Sequence, residues 1–430
     1  MKIYHELEEL IEQNVISTET ANKIKHYYLQ KNQSSPNQLY IIFGVLGAIL
    51  IGLGIILIIA HNWDNFSTGL KSFFAFIPLA IGQVLALYVM FKKYTHIAWR
   101  EGVASFLFLA IGVSISLVSQ IYHIQGDSQS FMLTWMLLAL PLIYLLNSSI
   151  AFLLYLGWIT FYAFLVGYFN YPTAPPYLYG LLLIAILPFY GYHVIKKSKN
   201  THALAFQSWG IALSLLMVLG AFSHQHQPFI YITYLSMFAF FLGLSKINTF
   251  KSTSSLQVAY AFVGYGGTLV ILFILSFRDG IWKSFSSELL AHNFFTSPEF
   301  LLGLAFSLAA GYFIVQQYIQ TKKVFKISPY QISYIICIGI FFTGIHLSLG
   351  AVIINIYLLI LGLYTIRLGN KKPHFGILNF GLSIITVLII CRFFDTNLSF
   401  IVRGVLFLLV GAGFFAANYL TLQRKKQNAA

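Results

Sequence analysis

Three short polar stretches hold most of the side chains in this chain whose types and spacing suit chemistry. They are His61-Asn62-Trp63-Asp64, the run Ser119-Gln120-Ile121-Tyr122-His123-Ile124-Gln125-Gly126-Asp127, and Arg392-Phe393-Phe394-Asp395, with Arg403 eight residues beyond. Carboxylates near imidazoles can bind a cation or move a proton. Guanidinium groups hold phosphate or carboxylate through paired hydrogen bonds. The candidate site residues are therefore His61, Asp64, His123, Asp127, Arg392, Asp395 and Arg403, the acids suited to a cation and the arginines to an anionic head group. His346 and Asn355 flank a further turn on the same predicted side. Each element also has an ordinary structural role. Trp63 and Tyr122 suit an aromatic belt, Asn62 or Asp64 can cap the next helix, and Gly126-Asp127 suits a turn. Arg392 and Arg403 lie close enough to a helix end to snorkel or to pair with Asp395.

Several familiar chemistries have no matching motif. The chain carries no Gly-rich phosphate loop, no HExxH pair and no Cys-rich ligand set, so no catalytic residue, metal ligand or cofactor is assigned. His224-Gln225-His226 lacks a carboxylate or Cys to complete a metal site. Cys337 and Cys391 fall near opposite ends of their apolar runs, and no disulfide is expected.

The elements that must position these residues follow from hydropathy. Of 430 residues, 58% are hydrophobic and 9% charged, far outside the range of soluble globular chains. A spanning helix needs roughly 20 apolar residues, and fourteen such runs fill the chain from Leu39 to Leu420. A barrel would show alternating segments of about ten residues. The predicted fold is all-α, a polytopic transmembrane helical bundle of about 14 spans (12–14) with short loops. The fourth and fifth runs are separated only by Asn147, Ser148 and Ser149, and the eleventh and twelfth are nearly continuous around Gly350.

Lys and Arg collect in alternate gaps: Lys92, Lys93 and Arg100; Lys196, Lys197 and Lys199; Lys246 and Lys251; Lys322, Lys323 and Lys326; Arg367, Lys371 and Lys372. Arg424, Lys425 and Lys426 close the series. The positive-inside rule then predicts both termini in the cytoplasm, and it accounts for the net charge of +14 without nucleic acid. The expected organisation is a cytoplasmic helical hairpin and linker over 1–38, a transmembrane bundle over 39–420 and a basic cytoplasmic tail over 421–430. No cleavable signal peptide is expected, because the first 38 residues are polar. In the hairpin, Ser17-Thr18 can cap a second helix with Glu19 in its first turn. The longest outward gap, Arg278 to Glu299, suits one amphipathic interfacial helix.

Weaker patterns complete the chain. Residues Ile58 to Asp64 can be laid on Ile389 to Asp395, a faint internal echo. Gly44, Ala48 and Gly52 form a small-residue ladder for helix packing. Pro141 and Pro188 interrupt the fourth and sixth runs. Gln83, Gln207, Gln316 and Asn379 are the main polar residues within the spans, where neutral amides usually bridge helices.

Glu8-Glu9-Leu10-Ile11, Val15-Ile16-Ser17 and Lys23-Ile24, followed by a Gly-rich first span ending in Ala60-His61-Asn62-Trp63-Asp64, resemble the bacterial membrane family catalogued as domain of unknown function 2157. Gln120-Ile121-Tyr122-His123 with Gly126-Asp127 is similar to that family as well. The resemblance is most specific over about the first 150 residues. It implies a bacterial cytoplasmic (inner) membrane protein with a short N-terminal helical segment, and it carries no activity, substrate or cofactor.

The expected function is a transporter-like or lipid-handling permease with a polar site at its outer face, its partners the lipid bilayer and a lipid or small solute. One alternative is a membrane-embedded enzyme acting on a lipid-linked substrate, with Asp64 or Asp127 as general base and His123 as proton shuttle. Another is a non-catalytic assembly or sensory subunit. A deep hydrophilic cavity would favour the first two, and a solid bundle with polar caps the third.

Overall fold

A computed structural model of the chain describes residues 15–24, 63–169, 174–195, 201–223, 229–246, 259–277, 294–322, 327–343, 347–371 and 374–395, together with positions 7, 11, 13, 282, 401, 404–405, 408, 411–413, 415 and 419. These residues are helical, with no strand among them. The bundle helices are α1 (Thr68–Tyr88), α2 (Ile97–Ile121), α3 (Ser128–Leu145), α4 (Ser149–Phe164), α5 (Tyr177–Ile195), α6 (Thr201–Leu219) and α7 (Phe229–Leu244). They continue with α8 (Ala259–Leu275), α9 (Pro298–Thr321), α10 (Pro329–Phe342), α11 (Leu347–Lys371) and α12 (Phe375–Asp395). Among the described residues nine helices are long and apolar enough to cross a membrane, and α7, α8 and α10 are apolar but shorter. The protein is a multi-pass membrane protein. The predicted first span over 39–60, with its Gly44-Ala48-Gly52 ladder, lies outside the described residues, as does most of the last.

The chain divides into two compact units, Met1–Ala75 and Phe76–Ala430. In the first, residues 18–24 form a helix whose start is capped as its sequence predicts: the Ser17 hydroxyl oxygen accepts the Thr20 N–H at 3.2 Å. Lys23 pairs with Glu19 at 2.8 Å on the exposed surface. Trp63–Asn65 form a 3-10 turn, and the Lys71 ammonium lies 5.9 Å over the Trp63 ring. Ser67 caps the helix that follows, accepting the Leu70 N–H at 3.4 Å, while Asn62 lies outside the described residues.

In the second unit α4 packs on α2, α3, α5 and α6, while α7 packs on α8, α9 and α10. The second group is completed by α11 against α12, and α6 touches both groups through α4 and α8. Glycines set the closest crossing. A Cβ on Gly381 would lie 2.7 Å from the Ile366 backbone nitrogen, so α11 and α12 meet backbone to backbone. Helix α7 is buried along most of its 16 residues, which explains its length. A helix sheathed in protein has no bilayer thickness to match. Hydroxyl pairs tie buried faces together, as Tyr190 does with Ser208 at 2.8 Å and with Tyr260 at 3.0 Å. Helices α1, α3 and α5 run on through Pro78, Pro141 and Pro188.

The first of the two doubtful separators is a break where the sequence places it, and the second is not. Asn147 takes a left-handed conformation (φ 47°), and Ser148 caps α4 by accepting the Ala151 N–H at 3.1 Å. Glu101, reaching across from α2, accepts the N–H groups of Ser149 at 3.0 Å and Ile150 at 2.9 Å, and also the Ser148 hydroxyl. The other break falls between Phe342 and Leu347, so Gly350 lies inside α11. Its glycine has a packing cause: a Cβ there would come within 2.6 Å of the Trp282 ring. Trp282 is fixed in turn by its indole N–H, which donates to the Leu275 carbonyl at 2.8 Å. Trp282 is described; most of the expected amphipathic helix over 278–299 is not.

Candidate functional site

Local chemistry shapes the link from α2 to α3. Ile124 N–H donates to the Ser119 carbonyl at 2.9 Å and His123 N–H to the Gln120 carbonyl at 3.5 Å, the paired bonds of a Schellman helix end. His123 stands at the left-handed position of that motif (φ 50°), where glycine is usual. The Ser119 hydroxyl donates to the Ile124 carbonyl at 3.0 Å. Asp127 then starts α3 as its N-cap, Oδ1 accepting the Ser130 N–H at 2.9 Å. The Ser130 hydroxyl and N–H hold the exposed Asp127 carboxyl below its ordinary value of 3.8. Deeper in the bundle the Trp135 indole donates to the Phe108 carbonyl at 2.8 Å and clamps α3 to α2. Gly112 leaves room for that ring, and Trp158 on α4 packs behind it at 4.4 Å between centroids.

Helix α1 meets this clamped wall through the π-helical turn Val89–Lys93 and at Gly82, whose missing side chain admits Leu107. Elsewhere the helices part, leaving an open groove of about 1340 Å³ between α1, α2 and α3. Its walls are apolar: Leu79 and Leu87 from α1, Ile111 and Ile115 from α2, Leu138 and Leu142 from α3. Most of its polar residues lie toward one end, Ser119, Gln120, His123, Gln125, Asp127 and Ser130 among them, with Ser114, Ser116 and Thr134 further along. That end is opposite Lys92, Lys93 and Arg100. Helix α3 follows the groove from Ser128 to Leu145, roughly 25 Å at 1.5 Å per residue. One amide enters the apolar part. Gln83 is exposed on α1, nine residues before Lys92, and faces the groove wall.

Two of the seven candidate residues, His123 and Asp127, thus share one site. Arg392 has other neighbours. Its Nη2 donates to the Ser276 hydroxyl at 3.1 Å, its guanidinium lies 5.2 Å over the Phe277 ring, and the Ser276 carbonyl accepts from Asn355 at 2.9 Å. Arg392 and Asn355 therefore meet around the end of α8, and neither lines the groove. Asp64 sits exposed in the 3-10 turn of the first unit. His61, His346, Arg403 and the His224-Gln225-His226 turn lie outside the described residues; Asp395 ends α12, its side chain likewise outside them. Residues 58–62 of the echo with 389–395 lie outside them too.

Sequence reasoning passed over three polar anchors. Glu101 lies just past the first turn of its own helix, yet it caps another whose first N–H groups are 48 and 49 residues away. Lys246 donates to Gln317 Oε1 at 2.8 Å and to Gln331, joining α7 to α9 and α10. Glu299, in the first turn of α9, is fully buried, and its backbone carbonyl accepts the Thr233 hydroxyl at 2.9 Å. An acid in a basic gap was the one available signal for Glu101. Of the in-span amides, Gln207 bridges helices as expected, donating to Ser149 at 3.2 Å.

Residues 8–152, about a third of the chain, match the family model described as "Predicted membrane protein (DUF2157)". The matched stretch includes every described residue lining the groove. No curated protein and no solved structure matches the chain.

Proposed function

We propose that the protein is a lipid-handling permease of the cytoplasmic membrane, and that the groove between α1, α2 and α3 is where it holds its lipid. One observation carries this: the groove walls are mainly apolar, and the imidazole, the carboxylate and the amides that line it, Gln83 apart, gather toward one end. A water-soluble solute would need polar partners throughout, because each unpaired polar group in an apolar site costs free energy. An amphiphile needs them only at its head. The roughly 25 Å of α3 along the groove exceeds one leaflet of a hydrocarbon core about 30 Å thick. The alternation of basic gaps supports placing the polar mouth at the outer face, with His123 and Asp127 meeting the head group. His61, Asp64, Asp395 and Arg403 remain proposed contributors on that same side, and Arg392 a proposed contact for an anionic group near α8 and α12.

The enzyme alternative is weaker. A general base works best with a pKa near the working pH, and the Ser130 bonds push Asp127 the other way. The test is lipid retention by the purified full chain, read by native mass spectrometry. Thr134→Trp places a large ring in the groove; Ile184→Trp, on an exposed face of α5 away from the groove, is the control. Loss of bound lipid in Thr134→Trp alone is expected. Equal retention by both variants would overturn the proposal.

A further inference from the structure

The mouth of the groove opposes the charge of the chain. The formal net charge is +14, yet the described residues lining the groove include no Lys or Arg and one carboxylate, Asp127. Three described cations elsewhere engage neighbours of their own: Arg392 with Ser276 and Phe277, Lys246 with Gln317 and Gln331, and Arg100 at 5.6 Å over Tyr94.

Helix ends do not reverse the sign. At the mouth α2 presents its last carbonyls and α3 its first amides, equivalent to about −0.5 and +0.5 of a charge. These offset one another and leave the Asp127 carboxylate as the net charge. That carboxylate is exposed, and the Ser130 bonds keep it ionised through the neutral range. Two aromatic rings lie in the same part of the groove, Phe76 in the first half of α1 and Phe131 in the first turn of α3. Aromatic faces attract ammonium groups. Neutral donors are also present, Gln120 and Gln125 among them, and can satisfy a phosphate without a cation.

We infer that the groove selects a zwitterionic phospholipid, its ammonium at Asp127 and its phosphate among the neutral donors, over phospholipids of net negative charge; this rests on the groove being the lipid site proposed above.

The test uses the full chain in vesicles containing equimolar photoactivatable phosphatidylethanolamine and phosphatidylglycerol with identical diazirine-bearing chains. Crosslinks are mapped by mass spectrometry to peptides covering residues 76–90 and 107–145. The wild type is expected to favour the ethanolamine lipid by roughly two- to five-fold, the contribution of an exposed charge pair. In Asp127→Asn the preference falls to about one through loss of ethanolamine-lipid labelling, while glycerol-lipid labelling of the groove persists, because asparagine caps a helix as well as aspartate and α3 keeps its start. Asp127→Ser, another capping residue, is expected to behave likewise. Equal labelling in the wild type, a preference for the glycerol lipid, or an unchanged preference in both variants would overturn the head-group assignment and leave the groove intact. Absence of labelling in the groove by either lipid would overturn the lipid site and the assignment together.

Discussion

Removing the Glu101 carboxylate should loosen the bundle at the end of α4 nearest the basic loops. Four N–H groups at a helix start lack partners within the helix. In α4 the Glu101 carboxylate takes two of them, from Ser149 and Ile150, and Ser148 Oγ takes that of Ala151. Each hydrogen bond to a charged group contributes about 1.5–3 kcal/mol, so two give about 3–6 kcal/mol. The site is half-buried, and water recovers part of that. Glu101→Ala should therefore destabilise by about 2–4 kcal/mol. Glu101→Gln keeps one acceptor and should cost about 1–2 kcal/mol, close to Ser148→Ala, a simple cap loss of about 1 kcal/mol. Because Ser148 also donates to Glu101, the double variant should cost less than the sum of the two single changes. Equilibrium unfolding of purified protein in mixed micelles measures all four. A loss under about 0.5 kcal/mol for Glu101→Ala, at the level of an ordinary surface change, would refute the cross-helix cap. So would a Glu101→Gln variant that keeps full stability but loses lipid binding, since the carboxylate would then serve function instead.

Three further outcomes are expected. His123→Gly suits the left-handed helix end and should leave stability unchanged or raise it by about 1 kcal/mol, while lipid retention falls; a destabilised glycine variant would contradict the helix-end geometry. Asp127 has a depressed pKa when folded, so its ionised cap is fully present above its ordinary value of 3.8 and is lost as pH falls through the lower folded value. The gap in unfolding midpoint between wild type and Asp127→Ala, which lacks the cap, should stay flat from pH 7 to about pH 5 and narrow only below it; narrowing near neutrality would count against the Ser130 bonds. Reporter fusions at Lys196 and at His123 should report opposite compartments, and a shared compartment would end the outer-face placement of the mouth.

The helices were legible because a membrane span writes its length directly in hydropathy. Predicted runs and observed helices agree closely from Thr68 to Asp395. The Ser17 cap was legible too, because capping acts through the next turn of the same chain; Asp127, read as a turn residue, and Ser148, read as a separator, act as caps as well. Gly350 misled because glycine has two causes, a turn or a close neighbour, and only Trp282 distinguishes them. Lateral arrangement could not be read. Two residues assigned to one side by charge alternation need not share a site, and Asp127 and Arg392 have separate surroundings. The groove depends on α1 meeting α2 closely at Gly82 and through the turn Val89–Lys93 alone among the described residues from Phe76 onward, which no periodicity records. Helix α7 shows the remaining gap, since an apolar helix reads alike whether lipid or protein surrounds it.

The existence of an occupied groove is tested most directly by the structure of the full chain in a lipid nanodisc. Continuous elongated density is expected along Ile111, Ile115 and Leu138, ending in a compact feature beside Asp127 and His123. A map in which α1 closes onto α2, with Leu79 packed against Ile115 and no density between them, would contradict it.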